Sequence, residues 1–170
     1  KNHFIATSEG AAVSIGIGPG SFTGLRIGFS VAKGLCYPHK INLIGIPSLK
    51  ILANSTKNHN KNIISLIKDK GENYYISKYN SDLKEIIHPK IHLIDSGYMS
   101  SIIDKESIII VNSDDSKEYI SKIVKEKIKI YSKAISSIDM ISLSHQSFEH
   151  KKFEDLAYIE PMYVKKPYVS

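Results

Sequence analysis

The sequence predicts an α/β fold in two small lobes, and three observations carry the prediction. Residues 12–46 read strand, glycine turn, helix, strand, which is the order of a parallel β-α-β unit. A polar stretch without period, Ser55 to Asn62 (STKNHNKN), then makes the best linker candidate. Beyond it the texture changes to a hairpin-like pair of strands, followed by a third strand and alternating helices and strands. A chain of 170 residues suffices for one sizeable core or two such lobes.

Each element has a local reason. Ala12 to Ile17 is an apolar run of strand length that ends in Gly16-Ile-Gly-Pro-Gly, where glycine permits the turn and Pro19 fixes its own φ. Ser21 or Thr23 caps the helix that follows, and Leu25, Phe29, Ala32 and Cys36 recur along it at helical spacing, with Pro38 near its end. Asn42 to Ile46 (NLIGI) is the second strand, and Ser48 starts a short helix. Asn62 to Ile67 and Asn73 to Tyr79 flank KDKGE as a hairpin, and Glu85 to Ile94 is a third strand. A short helix spans Ser96 to Ile103, an apolar strand Ser107 to Val111, and a helix Asp114 to Lys127 with Tyr119, Ile120, Ile123 and Val124 on one face. Ser137 caps a last helix through Ile138, Ile141, His145 and Phe148, and YIEPMYVKKP is an extended tail. The predicted organisation is a first lobe over 1–54, a second over 63–155 and a tail over 156–170.

Composition narrows the function classes. Hydrophobic residues are 42% and charged residues 24%, the balance of a globular protein, and no apolar run nears the roughly 18 residues of a membrane span. Cys36 is the single cysteine, so no internal disulfide forms, which fits a reducing, cytoplasmic setting. The net charge is +6, but the lysines are mixed with carboxylates: Lys122, Lys125 and Lys129 share a stripe that Glu118 and Glu126 flank, which reads as a solvated face. Every basic residue but Arg26 is lysine, which points to a use at that position for a planar guanidinium.

GPGSFTGLRIG, Gly18 to Gly28, holds the candidate site. A strand, a tight turn and a helix start aim amides and a dipole at one spot, so Gly18, Gly20, Ser21, Thr23 and Arg26 are candidates for holding an anion. No Lys follows Gly24, as a phosphate-binding P-loop needs, and the glycine spacing misses the dinucleotide fingerprint by one place. Ser21 lacks the GxSxG context of a nucleophile elbow and has no base in the pattern, so no catalytic residue is assigned. Gly24, Gly28 and Ala32 fall at i, i+4 and i+8. Mid-helix glycine costs about 1 kcal/mol against alanine, so such a stripe suggests close approach of a second helix, in this chain or in a partner. With Leu25 and Phe29 these residues form the expected interface.

The histidines do not read as metal ligands. His88 and His92 flank Pro89 and would stand about 13 Å apart in a strand, while His145 and His150 are spaced to different faces of a helix and do not form HExxH. Asp114 and Asp115 read as helix-start residues. Of Tyr74 and Tyr75, one is expected to face the core.

GIGPGSFTGLRIG with VAKGL and LIGIPSL resembles the signature of the TsaB family, also called YeaZ. KGENYYISKYN is similar to the family's GE-x-Y hairpin, and YIEPMYVKKP to its C-terminal ending. The resemblance implies an actin-like (ASKHA), RNase H-like two-lobed fold, and a place in making N6-threonylcarbamoyladenosine at position 37 of tRNA. It implies a non-catalytic scaffold that supports a TsaD-like transferase together with a TsaE-like ATPase. It implies no intrinsic cofactor, although a nucleotide at the interface with the transferase is compatible with it, as is a homodimer. Contact with tRNA is expected to be indirect, and no membrane is implied. The transferase's HxxxH metal motif has no counterpart here. The rival readings are a glycoprotease-like peptidase, with Ser21 as its one nucleophile candidate, and a direct tRNA-binding subunit. The family pattern starts with a strand ending in DTS, a hairpin and a helix before the glycine loop. Only 17 residues precede Gly18, and Phe4 to Ser8 lacks the aspartate. About 40 to 50 residues of the pattern, including the first interface helix, are therefore expected to be absent, so that the N-terminal lobe reads as truncated.

Overall fold

The computed structural model describes residues 11–56 and 60–164. The chain divides into two compact units, residues 1–51 with 136–163 and residues 52–135 with 164–170. Phe4 to Ser8, part of the linker and the end of the tail lie outside the described residues.

The first unit is the β-α-β element completed by residues 136–163. Strand β1 (Ala12–Gly16) pairs in parallel with β2 (Asn42–Ile46), Ala12 opposite Asn42 and Gly16 opposite Ile46. Helix α1 (Phe22–His39) joins them and lays Phe29, Ala32 and Cys36 on Val13, Ile15 and Leu43. Ser21 is the N-cap, its Oγ accepting from Gly24 N at 3.3 Å. Pro38 lies inside the last turn, where it removes one ladder bond, and the helix ends beyond it at Lys40 in the left-handed region, φ 52°. Helix α2 (Ser48–Asn54) follows β2.

Residues 136–155 were expected with the second lobe, and the structure groups them with the first. A 3-10 turn (Ser137–Met140) leads into a later helix (Ile141–Glu149) that packs near β2. Glu154 N then donates to Leu43 O at 2.8 Å, adding a bridge at the edge of β2. The tail continues this docking, with Leu156 and Ile159 packed against the core of α1 and the sheet. Ser136, not Ser137, caps the turn, its Oγ accepting from Ile138 N at 3.4 Å.

The second unit is a five-stranded mixed sheet. β3 (Asn62–Lys68), β4 (Asn73–Tyr79) and β5 (Glu85–Leu93) form an antiparallel meander, and β6 (Ser107–Val111) and β7 (Ile130–Ser132) extend it in parallel beside β3. Helices α3 (Ser96–Ile102) and α4 (Asp114–Ile123) contribute Met99 and Ile120 to a core with Ile64, Leu66, Tyr74, Ile76, Ile109 and Val111. All five residues of β6 are buried, as a central parallel strand requires. Helix α4 stops at Ile123, short of the expected Lys127, because Val124 turns extended and the chain enters β7, a strand the sequence reading did not separate from the helix. The helix in residues 141–149 is α5.

One ion pair, buried at its lysine and partly exposed at its carboxylate, ties this sheet together. Lys78, 7% exposed, donates from Nζ to Ile102 O at 2.7 Å and to Asp104 Oδ2 at 2.6 Å. Asp104 also accepts from Asn62 Nδ2 at 3.0 Å and from Ser107 Oγ at 2.7 Å. Burial pushes the carboxyl's pKa up, but the hydrogen bonds from Lys78, Ser107 and Asn62 outweigh it and hold the value at about 2.

Candidate functional site

The glycine loop is held by backbone bonds on both flanks. Ile17 N donates to Ile46 O at 3.0 Å, Ser48 N donates to Gly18 O at 2.7 Å, and Met162 N donates to Ile17 O at 2.7 Å. Gly18 has φ 105°, and a Cβ there would lie 3.0 Å from Leu25 Cδ1 and 3.1 Å from Met162 O. Both its conformation and its surroundings therefore call for glycine. Gly20, Ser21 and Thr23 are exposed on the turn. The Ser21 hydroxyl serves as helix cap through Gly24 N, which is the work of a cap rather than of a nucleophile bonded to a base.

Helix α1 buries one side and leaves another exposed. Leu25, Gly28, Phe29 and Ala32 are buried, and Gly24 is half-buried beside the Ser21 side chain. Ala32 packs in the core of its own unit, whereas a Cβ at Gly24 would meet the Ser21 side chain at 3.4 Å. The outer face is apolar too. Ile27, Val31 and Leu35 recur at i, i+4 and i+8 and are 58%, 43% and 43% exposed, with Ser30 and Gly34 exposed beside them. The signal was in the sequence, since apolar residues on opposite sides of one helix imply cover on both.

Arg26 leaves the helix on another side, that of Phe22 one turn earlier. Its guanidinium sits 4.0 Å over the Phe22 ring, and Phe22 in turn meets Tyr163 with ring centroids 5.5 Å apart at 38°. The site thus links the helix start to the returning tail, a contact that sequence spacing could not reveal. No hydrogen bond or ion pair joins Arg26 to another described residue. Lys33, seven residues on, lies on the same side of the helix as Arg26, and α1 contains no Asp or Glu. Cys36, at the inner face, is fully buried, and desolvation raises its thiol pKa.

The remaining candidates resolve individually. His88 Nδ1 lies 2.6 Å from Glu85 Oε2, and His92 Nδ1 lies 2.7 Å from Leu93 O while its ring stacks on Tyr98 at 3.8 Å. Tyr74 is the core-facing member of its pair, stacked on Tyr119 at 6.1 Å. Ser113 caps α4, with Asp114 and Asp115 in its first turn. Among the described residues no helix is long and apolar enough to cross a membrane.

Comparison with known proteins adds to this geometry. The family described as "TsaD: tRNA N6-adenosine threonylcarbamoyltransferase" matches residues 3–167. The chain is 34% identical over 79 residues to "tRNA threonylcarbamoyladenosine biosynthesis protein TsaB" of Escherichia coli (strain K12), covering 45% of this chain and 34% of that protein. It is 37% identical over 76 residues to the protein of the same name from Buchnera aphidicola subsp. Acyrthosiphon pisum (strain APS), covering 44% and 34%. The chain thus spans about a third of the length of the curated relatives it matches. Two solved structures from Pseudomonas aeruginosa share the fold at 16% identity. One, titled "YeaZ", has a TM-score of 0.73 over 89% of this chain and 72% of its own. The other, titled as an uncharacterized protein with similarity to peptidase YEAZ, has a TM-score of 0.71 over 91% and 73%.

Proposed function

The chain belongs to the TsaD family, tRNA N6-adenosine threonylcarbamoyltransferase, with curated relatives named TsaB, and on that premise we propose that it is a non-catalytic scaffold of tRNA threonylcarbamoyladenosine synthesis. In this reading it docks a TsaD-like transferase through the outer face of α1. The observation that carries the reading is the exposed aliphatic stripe Ile27, Val31 and Leu35. Aliphatic side chains at helical spacing lose unfavourable contact with water when a second helix covers them, and exposed Ser30 and Gly34 let that helix come close. The TsaE-like ATPase and tRNA enter through the transferase, and any nucleotide would sit at the shared surface. A cytoplasmic setting follows from the same reading. The peptidase alternative loses support from the engagement of Ser21 Oγ as a cap.

The test is size-exclusion chromatography with light scattering, on this chain alone and mixed with the TsaD-like transferase of the same genome. A mixed complex that Val31→Glu abolishes without changing the circular dichroism spectrum is the expected result. A complex that survives Val31→Glu, or a wild-type chain that never joins the transferase, overturns the reading. A complex of two copies of this chain, lost in the same variant, would assign the stripe to self-association instead.

A further inference from the structure

We infer that the outer edge of β7 is a docking site for an extended acidic segment of a partner protein, which adds to the sheet as a further strand. β7 ends the order β5-β4-β3-β6-β7, so one of its edges has no neighbouring strand among the described residues. Its other edge is bonded to β6: Lys129 O accepts from Ile109 N and Lys133 N donates to Val111 O, both at 3.0 Å. In a parallel ladder alternate residues turn their backbone groups to opposite sides, so the N–H and C=O groups of Ile130 and Ser132 point outward. No hydrogen bond from another described residue reaches them. Unpaired backbone of this kind is a template for one more strand.

The two edges of the sheet are guarded differently. β5 carries Pro89, which has no N–H to offer, and its pairing with β4 is irregular. β7 has neither device and is flanked instead by charge of one sign. Lys127, Lys129 and Lys133 are exposed, and no Asp or Glu occurs from Lys127 to Ile138. Glu126, the carboxylate before them, accepts from Ser100 Oγ at 2.6 Å. Lysines at an edge repel a strand of like charge, so two β7 edges from two copies of this chain would set Lys129 and Lys133 against each other. The same row attracts a strand that carries carboxylates at alternate positions, on the face that Lys129 and Lys133 share. A nucleic acid answers the lysines as well, but its phosphates only accept hydrogen bonds and leave the outward C=O groups unmet. An acidic peptide answers both the charge and the backbone.

The experiment is fluorescence anisotropy on the whole chain with a labelled peptide of alternating Glu and Val. The expected result is binding that weakens with added salt, and none of the matching peptide of alternating Lys and Val. N-methylation of one alternate set of peptide amides should weaken binding about tenfold or more, and methylation of the other set should change it little, because only one set faces β7. Lys129→Glu should weaken binding about fivefold or more and leave the melting temperature at that of wild type, since the side chain is exposed. No binding of the acidic peptide would overturn the inference. Equal affinity of the two methylated peptides would overturn strand addition, as capture by charge alone predicts. A single-stranded RNA that displaces the peptide and binds more tightly would overturn the protein segment in favour of nucleic acid.

Discussion

Two neighbouring residues of α1, Val31 and Ala32, are predicted to give opposite phenotypes. Ala32 is fully buried, in a cluster with Val13, Ile15, Phe29, Cys36 and Leu43. Ala32→Leu adds three carbons where the helix rests on the sheet, and overpacking of this kind costs about 1–3 kcal/mol. For a chain of this size 1 kcal/mol moves the melting temperature by roughly 2–4 °C, so the expected drop is about 2–12 °C. Val31 is 43% exposed and has no cavity to lose, so Val31→Glu should change stability by less than about 0.5 kcal/mol. The same glutamate puts a charge into the proposed docking stripe and should abolish the mixed complex. Thermal melts followed by circular dichroism, run beside light scattering, read both effects on the same samples. If Ala32→Leu left the melting temperature unchanged and removed the complex, the inward placement of Ala32 and the assignment of the outer face would both be refuted.

Three further outcomes follow from the geometry. Asp104 is held at about 2 against a usual 3.8, so its depressed pKa stabilises the folded state above about pH 4, and that contribution is lost as pH falls from about 4 towards 2. Its side chain is 43% exposed, and solvent screening brings the contribution to about 1 kcal/mol; Asp104→Asn should flatten the acid limb of a denaturation profile, and an unchanged limb would argue against the pairing. Gly18→Ala should cost about 1–3 kcal/mol from its φ of 105° alone, before contact with Met162 O is counted, as chemical denaturation would measure. Ser21→Ala should lower stability by about 1 kcal/mol through loss of the cap and leave peptide cleavage at the level of wild type; a Ser21-dependent cleavage rate would revive the peptidase alternative.

The fold was legible where local chemistry and tertiary packing agree. The β-α-β start, the hairpin around KDKGE and the buried strand β6 all follow from period, turn residues and apolar runs. Misreadings fell where long-range contacts decide. Residues 136–155 follow the second unit in sequence, yet Glu154 bonds to Leu43, more than a hundred residues upstream, and nothing local to FEDLAYIE announces that partner. The end of α4 was misread because KIVKEKIKI satisfies helical and alternating patterns at once, and the free edge of β6 selects the strand at Ile130–Ser132.

The site teaches a sharper lesson about small residues. Glycine and alanine at i, i+4 and i+8 state that something comes close, but they do not state whether it is a neighbour in the same unit or another chain. In α1 the answer is plain for Ala32, which has no exposed surface left, whereas Ile27 and Val31 stay 58% and 43% exposed. The arginine follows the same logic. Its isolation among lysines marked Arg26 in the sequence, but its orientation depends on Phe22 one turn earlier and on Tyr163, which reaches α1 only because the tail bonds to Ile17. The sequence thus marks the residue, and a segment more than a hundred positions away helps set where its guanidinium rests.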